Sequence, residues 1–127
     1  MNTIQLNGED FLRVVADYRV PGIEWKYLGD RPCVIDFYAG WCAPCRMLAP
    51  VLEEVASVYK NEIYVYKVDV DQCEAVADAY DICSIPTTLF VPMTGRPVKM
   101  VGAISKKEIE RHVKEVLLKS KLDHAEV

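Results

Sequence analysis

The fold is decided by the stretch CVIDFYAGWCAPC, which occupies residues 33–45. Its first part, Cys33–Ala39, is apolar at nearly every position, which is typical of a strand buried on both faces of a sheet. Apolar residues then recur at helical spacing from Cys42 to Tyr59. Pro50 lies inside that helix and should kink it. The stretch therefore predicts a strand that leads directly into a helix, with two cysteines at the start of the helix.

Strands and helices alternate on both sides of this stretch. Before it, we expect a short strand at Ile4–Leu6 and a helix from about Glu9 to Asp17, capped by Asn7. After it, the pattern predicts in order a strand at 63–68, a helix at 72–79, strands at 87–91 and 98–101 joined by a hairpin turn, and a last helix opened by a capping box at 105–108. The order β-α-β-α-β-α-β-β-α implies an α/β domain, in which a mixed sheet of about five strands is covered by helices on both faces.

Two segments fit this alternation less well. Residues 20–32 contain the turn signals Pro21-Gly22 and Gly29-Asp30. A packed surface loop and a lip for a binding partner are both open interpretations of that segment. The polar tail from Lys121 is expected to fray.

Composition limits the classes of function. The 127 residues fit one domain, 1–127, and 51% of them are hydrophobic and 27% charged, as in ordinary globular proteins. The net charge is −4 and no basic block occurs, so neither nucleic acid nor an acidic membrane surface is an expected partner. The N-terminal residues do not read as a secretory signal, and no apolar run could span a bilayer. We therefore expect a cytoplasmic protein whose thiols are mostly reduced.

Cys42 and Cys45 form a Cys-x-x-Cys motif where the strand ends and the helix begins. Reaction sites in open α/β sheets lie at the carboxyl ends of strands. The unpaired N–H groups and partial positive charge of a helix N-terminus stabilise a thiolate over a thiol. We expect Cys42 to attack a substrate disulfide, and the less exposed Cys45, one turn along, to resolve the mixed disulfide. Pro44 suits the first turn of the helix.

Asp36 interrupts the otherwise apolar strand. A charged group at such a position is costly unless it has a partner or a function, and burial raises its pKa. Two interpretations are equally open from the strand pattern. The carboxyl could take the proton of Cys45 during resolution, or it could be a structural aspartate paired with Lys67 on the next strand.

Four segments that follow one another in register resemble the thioredoxin family. They are residues 34–50, 67–71, 85–87 and 101–103, and together they span about 33–118, behind an N-terminal strand, helix and extended loop in 1–32. The resemblance implies a thioredoxin fold and a protein-disulfide reductase. The chain departs from the family in two places. Ala43 stands where the family usually has glycine, and the segment 20–32 is longer than usual.

The resemblance also implies roles that spacing does not show. Pro86 would be a cis-proline that lies against the redox pair, keeps metal from the thiols and orients the Ile85 backbone towards an extended substrate strand. Asp36 and Lys67 would act as a proton relay. The substrate surface would comprise Trp41, Ala43, Pro44, Val70, Ile85, Pro86 and Gly102. Disulfide-bearing client proteins and an NADPH-dependent thioredoxin reductase are the implied partners of a monomeric chain with no bound cofactor.

Two other functions remain open. One is an oxidase or isomerase in an oxidising compartment, and the other is a binding module in which redox turnover is incidental. A zinc site usually needs two ligand pairs, and only one Cys-x-x-Cys is present, so no metal is expected. Of the remaining cysteines, we expect Cys33 to be an inert core thiol, Cys73 to be exposed at a helix start, and Cys83 to lie near the substrate groove. His112 is expected at the exposed edge of the last helix.

Overall fold

The structure is a computed structural model and describes residues 2–19 and 25–118. Within these residues five strands form one sheet in the order β1-β3-β2-β4-β5. The strands are β1 Ile4–Gln5, β2 Cys33–Tyr38, β3 Tyr64–Asp69, β4 Thr87–Val91 and β5 Val98–Val101. The first three strands of that order are parallel, and β4 and β5 add two antiparallel strands. The predicted order of elements and the mixed sheet are confirmed.

The helices are α1 Gly8–Val14, α2 Ala43–Val58, α3 Glu74–Ala79 and α4 Lys106–His112, and α4 continues as a π-helical turn at Val113–Leu117. Asn7 caps α1 as predicted, and it exchanges hydrogen bonds with Asp10 in a capping box. At α4 the Ser105 hydroxyl accepts from the Glu108 N–H at 3.1 Å, while the Glu108 carboxylate binds Arg111. Side-chain caps thus fix the starts of both helices.

Helices cover both faces of the sheet. Strand β2 alternates between the two layers because successive side chains point to opposite faces. Ile35 and Phe37 pack with α1 and α3, whereas Val34 packs with α2 and α4. Asp36 shares the α2 face with Val34, two residues away. The alternation therefore places one buried carboxyl beneath the helix that begins at the cysteine pair.

The described part of the segment 20–32 packs on the α1 and α3 side. The rings of Trp25 and Tyr27 join the aromatic residues of that layer. Tyr27 donates its hydroxyl to the Arg31 carbonyl at 2.6 Å, and its ring crosses Gly29 so closely that a Cβ there would lie 2.2 Å from the Tyr27 oxygen. Residues 25–32 thus form a packed loop. The other interpretation of the segment 20–32, a lip for a binding partner, includes residues 20–24, and these residues and the tail beyond 118 lie outside the described residues.

Candidate active site

The N-terminus of α2 is built around the cysteine pair. Cys42 is the N-cap residue, with extended backbone, and its sulfur accepts a hydrogen bond from the Cys45 N–H at 3.3 Å. Pro44 lies in the first turn, where a missing N–H is tolerated. The two sulfurs are joined as a disulfide, with 5.3 Å between the Cα atoms. A helix N-terminus directed at a sulfur is the arrangement that favours a thiolate when the pair is reduced.

A small apolar cluster surrounds the disulfide. Cys42 and Cys45 are 5% and 3% exposed, so the difference in exposure expected between them is small in the disulfide form. Val70 and Ile85 pack against the pair, and the Ile85 carbonyl oxygen lies 3.9 Å from the Cys42 sulfur. The peptide bond from Ile85 to Pro86 is cis, as the resemblance implied.

Gly102 lies beside the cis-proline at the end of β5. Its N–H donates to the Pro86 carbonyl at 2.8 Å, and its φ of +100° falls in the region that favours glycine. The bond ties the Pro86 turn to the end of the sheet. The structure therefore brings Gly102, Pro86, Ile85 and the cysteine pair together.

Trp41 stands further out. Its side chain is largely exposed, and its Nε1 donates to the Asp71 carboxylate at 2.8 Å. Ala43 and Pro44 are also exposed, so these three residues form an open surface beside the disulfide. Met47, two residues after Cys45, and Val101, next to Gly102, are also apolar and are 72% and 59% exposed, and neither was among the candidate residues. Both side chains lie on the faces of α2 and β5 that no other element of the described ranges covers, and residue type alone does not reveal this.

Asp36 is fully buried beneath α2. Within the part of the chain that the structure describes, neither carboxyl oxygen has a hydrogen-bond partner. Burial raises the pKa of Asp36 to about 6, and the nearby charge of Lys67 opposes that rise. The direct pair with Lys67 that one interpretation required is therefore not formed, and Lys67 acts on Asp36 through charge. A carboxyl with a pKa near 6 can exchange a proton at neutral pH.

A row of polar residues crosses the sheet at this level. Asp36 is paired in register with Lys67 on β3 and with Thr88 on β4, and Lys67 is paired with Gln5 on β1. Thr88 is fully buried, and its hydroxyl has no partner among the described residues. Sequence reasoning missed Thr88 because strand pairing and register, which place it beside Asp36, could not be read from the sequence.

Lys67 is held by an aromatic ring. Its Nζ lies 4.3 Å from the ring centroid of Tyr38, at the end of β2. The Tyr38 hydroxyl in turn donates to the Gln5 side chain at 2.9 Å. Tyr38 also packs against the disulfide cluster. Tyr38 was not among the candidate residues, although its position two residues after Asp36 placed it on the same strand face.

The three cysteines outside the pair differ in environment. Cys33 is fully buried, and burial raises its pKa to about 12, which fits an inert core thiol. Cys83 is exposed. The expected exposure of Cys73 is wrong. Cys73 precedes α3, but that helix packs on the sheet, so the thiol faces inward and donates to the Leu6 carbonyl at 3.8 Å.

The expectation for His112 is also wrong. Its side chain is 12% exposed, its ring packs on Phe90 with 5.0 Å between centroids, and its Nδ1 lies 2.9 Å from the Glu108 carbonyl. Helical spacing explains the error, since His112 lies between Ile109 and Val113 on the face that covers the sheet.

Among the described residues, no three His, Cys, Asp or Glu side chains are grouped so that they could hold a metal ion. No helix in the described ranges combines the length and the apolar character needed to cross a bilayer.

A redox disulfide at a helix N-terminus, beside a cis-proline and a buried carboxyl, defines a thiol–disulfide oxidoreductase, and this chain is one. The thioredoxin family model matches residues 4–115, and the chain belongs to the thioredoxin family. It is a protein-disulfide reductase.

Individual relatives support the family assignment. Thioredoxin from Borreliella burgdorferi is 43% identical over 112 residues, which cover 88% of this chain and 95% of that protein. A bifunctional thioredoxin reductase/thioredoxin from Mycobacterium leprae is 43% identical over 89 residues, covering 69% of this chain and 19% of that protein. The solved structure of chloroplastic thioredoxin z superposes with a TM-score of 0.75 at 26% identity, covering 91% of this chain and 94% of that one.

Proposed function

We propose that this chain is a general reductant of client-protein disulfides and that an NADPH-dependent thioredoxin reductase returns it to the dithiol form. The disulfide at the start of α2, with Cys42 as the helix cap, carries the proposal. The name of the Mycobacterium leprae relative, which joins a thioredoxin reductase to a thioredoxin, supports the choice of electron donor. Cys33, Cys73 and Cys83 are free thiols, which supports a reducing compartment such as the cytoplasm.

The exchange follows from the positions of the two sulfurs. In the reduced protein, the Cys42 thiolate attacks one sulfur of the client disulfide, forms a mixed disulfide and releases the other client sulfur as a thiolate, which takes up a proton. The Cys45 sulfur then attacks the Cys42 sulfur. This step releases the second client thiol and forms the Cys42–Cys45 disulfide, so two electrons pass to the client. The Cys45 N–H stabilises the negative charge of the Cys42 thiolate from which the first attack starts.

The second attack needs a deprotonated Cys45, and Asp36 is the proposed acceptor of that proton. Asp36 lies on the sheet face beneath α2, and its pKa of about 6 leaves it mostly ionised at pH 7. Because only the ionised carboxyl can accept a proton, the rate of resolution should rise as pH increases through about 6. Lys67 is the proposed second member of the relay, acting through its charge on Asp36.

The client chain is proposed to bind beside the disulfide. The Ile85 carbonyl, 3.9 Å from the Cys42 sulfur, is placed to pair with an extended client segment. Trp41, Ala43 and Pro44 form the exposed side of this surface. Val70 and Gly102 complete the proposed groove beside Ile85 and Pro86.

Insulin reduction tests the proposal. With NADPH and a thioredoxin reductase, the wild-type chain should reduce insulin disulfides with stoichiometric NADPH oxidation, and Cys42→Ser should reduce them at the background rate. Cys45→Ser should instead accumulate a mixed disulfide on Cys42 that is seen by mass spectrometry. A chain that works with dithiothreitol but with no thioredoxin reductase would contradict the proposed donor. Failure with both reductants would contradict the reductase function itself.

A further inference from the structure

We propose that Tyr38 is a positioning residue for proton transfer, because its ring holds the Lys67 ammonium beside the Asp36 carboxyl. The proposal rests on the proposed function, in which Asp36 takes a proton from Cys45. It adds a residue that touches neither the cysteines' proton nor the Asp36 carboxyl but affects the proton affinity of Asp36 through the position of Lys67. Its basis is a contact to which neither the motif nor the resemblance assigned a role.

The contact is a cation–π interaction. The Lys67 Nζ lies 4.3 Å from the Tyr38 ring centroid, within the distance at which an ammonium is attracted to an aromatic face. Asp36 and Tyr38 are two residues apart on β2, so both side chains project from the same face. Lys67 is the register partner of Asp36 on β3. The ring therefore fixes the ammonium at the level of the carboxyl.

The ring itself is anchored on two sides. Its hydroxyl donates to the Gln5 side chain at 2.9 Å, and Gln5 is the register partner of Lys67 on β1. The other side packs against the cluster that contains Cys42 and Cys45. Tyr38 thus links the first strand, the lysine and the redox disulfide, and these contacts keep its face turned towards Lys67.

Without the Tyr38 ring, the Lys67 ammonium could move into a more hydrated part of the surface. A groove of about 380 Å³ opens beside Lys67 and is lined by Thr3, Gln5, Ala49, Pro50, Glu53 and Lys67. The Glu53 carboxylate faces this groove from α2 and accepts hydrogen bonds from Asn2 and Thr3. The Lys67 ammonium is better solvated in this groove, by water and by the Glu53 carboxylate, than in the dry environment of Asp36.

The titratable groups around this site lie on three elements and at the residue before α3. They are Asp36 and Tyr38 on β2, Lys67 and Asp69 on β3, Glu53 on α2, and Cys73 just before α3, and Cys45 on α2 joins them only when the disulfide is reduced. Of these, Lys67 is the cation whose charge lowers the pKa of Asp36 against the effect of burial. Movement of Lys67 into the groove would therefore raise the pKa of Asp36, and fewer molecules would carry an ionised acceptor at neutral pH.

The test is a titration of the Asp36 carboxyl by ¹³C NMR in the oxidised full chain. Tyr38→Leu removes the ring and should raise the pKa of Asp36 by roughly 0.5, about a threefold gain in proton affinity. Tyr38→Phe keeps the aromatic face and is the matched control, with a smaller shift. Lys67→Met should raise the pKa further, and Tyr38→Leu should then add nothing in the Lys67→Met background.

Two outcomes would overturn the positioning role. One is a Tyr38→Leu variant in which the pKa of Asp36 is unchanged or lowered while Lys67→Met raises it. The other is an effect of Tyr38→Leu that persists without Lys67, which would mean that the ring acts only through packing. If Tyr38→Leu does not fold, the wild-type chain still decides, because the side-chain methylene protons of Lys67 must show upfield ring-current shifts that Tyr38 causes. Lys67 shifts of an ordinary exposed lysine would refute the contact.

The relay itself is tested separately. Asp36→Asn should slow resolution of the mixed disulfide and remove the rise in rate near pH 6. Unchanged kinetics in Asp36→Asn would refute the proposed role of Asp36 and, with it, any effect of Tyr38 on turnover. The titration of Asp36 in the Tyr38 variants would still show whether the ring positions Lys67.

Discussion

The two ends of β2 place cysteine in opposite surroundings. At the first end, Cys33 is fully buried near the aromatic side chains of Tyr27, Tyr66 and Tyr80, and burial raises its pKa to about 12. Beyond the other end, Cys42 caps a helix, and its sulfur accepts a hydrogen bond from the Cys45 N–H. The same residue type is inert at one end and redox-active at the other.

The difference shows that the backbone, more than the residue, decides the chemistry of sulfur in this chain. At the carboxyl end of β2 the chain turns into α2, whose first N–H groups have no carbonyl partners and so favour a negative charge. At the amino end the strand enters from the packed loop 25–32, and the Cys33 thiol is buried beside the Tyr27 hydroxyl, away from any helix N-terminus.

The largest effect is expected in thiol reactivity. At pH 7, a thiol with a pKa of about 12 is ionised in only about one molecule in 10⁵. In the reduced protein, Cys33 should therefore react with iodoacetamide at least about 1,000-fold more slowly than free cysteine, while Cys42 reacts faster than free cysteine. Mass spectrometry of timed, quenched digests measures both rates.

Cys83 is the internal control for access, because it is exposed but lies away from a helix start. Its reaction should be slower than that of Cys42 and much faster than that of Cys33. Comparable rates at Cys33 and Cys83 in the folded protein would break the contrast between the two ends of β2.

Much of this contrast could be predicted from the sequence. The apolar run ending at Ala39, the helical spacing after Cys42 and the Cys-x-x-Cys motif together placed the pair at a strand–helix junction. The single charge at Asp36 identified the buried carboxyl. These are local signals, since each depends on neighbouring residues whose periodicity reports the element and its buried face.

The parts that were missed depend on packing between elements. Cys73 looked exposed because a helix start often is, and only the docking of α3 on the sheet buries it. Thr88 and Tyr38 gain their importance from cross-strand register, which places one beside Asp36 and the other under Lys67. Register between strands distant in sequence is set by the whole core, so no local pattern revealed it.

The next effect concerns the free energy of unfolding and its pH dependence. The pKa of Asp36 is raised from 3.8 to about 6 in the folded chain, so between these values the folded state binds more protons than the unfolded state. Stability should therefore fall as pH rises from about 4 to 6 and then level off. The loss contributed by this group is about 3 kcal/mol, from the size of the shift.

Asp36→Asn should remove this loss, because the amide stays neutral. Urea unfolding of the oxidised chain at pH 7 should show the variant to be more stable by up to about 3 kcal/mol, and its stability should vary less between pH 4 and 6. Lys67→Met is the informative partner variant, since loss of the opposing charge should steepen the pH dependence. A less stable Asp36→Asn at pH 7 would show that the carboxylate is well accommodated when buried.

A smaller effect is expected at the inert end. Cys33→Ser replaces a fully buried thiol beside the Tyr27 hydroxyl with a smaller, more polar group and should lower the free energy of unfolding by about 2 kcal/mol. The matched exposed change, Cys83→Ser, should alter it by less than about 0.5 kcal/mol. Both variants should reduce insulin at the wild-type rate below the unfolding temperature. A loss of turnover in Cys33→Ser would mean that the two ends of β2 are coupled.

The smallest effect on stability is expected beyond the carboxyl end of β2, where Trp41 is exposed beside the cysteine pair. The bond from the Trp41 Nε1 to the Asp71 carboxylate is exposed, and exposed hydrogen bonds of this kind contribute well under about 1 kcal/mol because water replaces either partner. Asp71→Ala should therefore leave the urea midpoint nearly unchanged but free the indole, which a change in Trp41 fluorescence anisotropy would report. Asp71→Asn, which keeps an acceptor oxygen, is the control. A large loss of stability in Asp71→Ala would mean that packing holds the end of β2 near the cysteine pair as tightly as the end that contains Cys33. The contrast between an exposed end and a buried end of β2 would then be wrong.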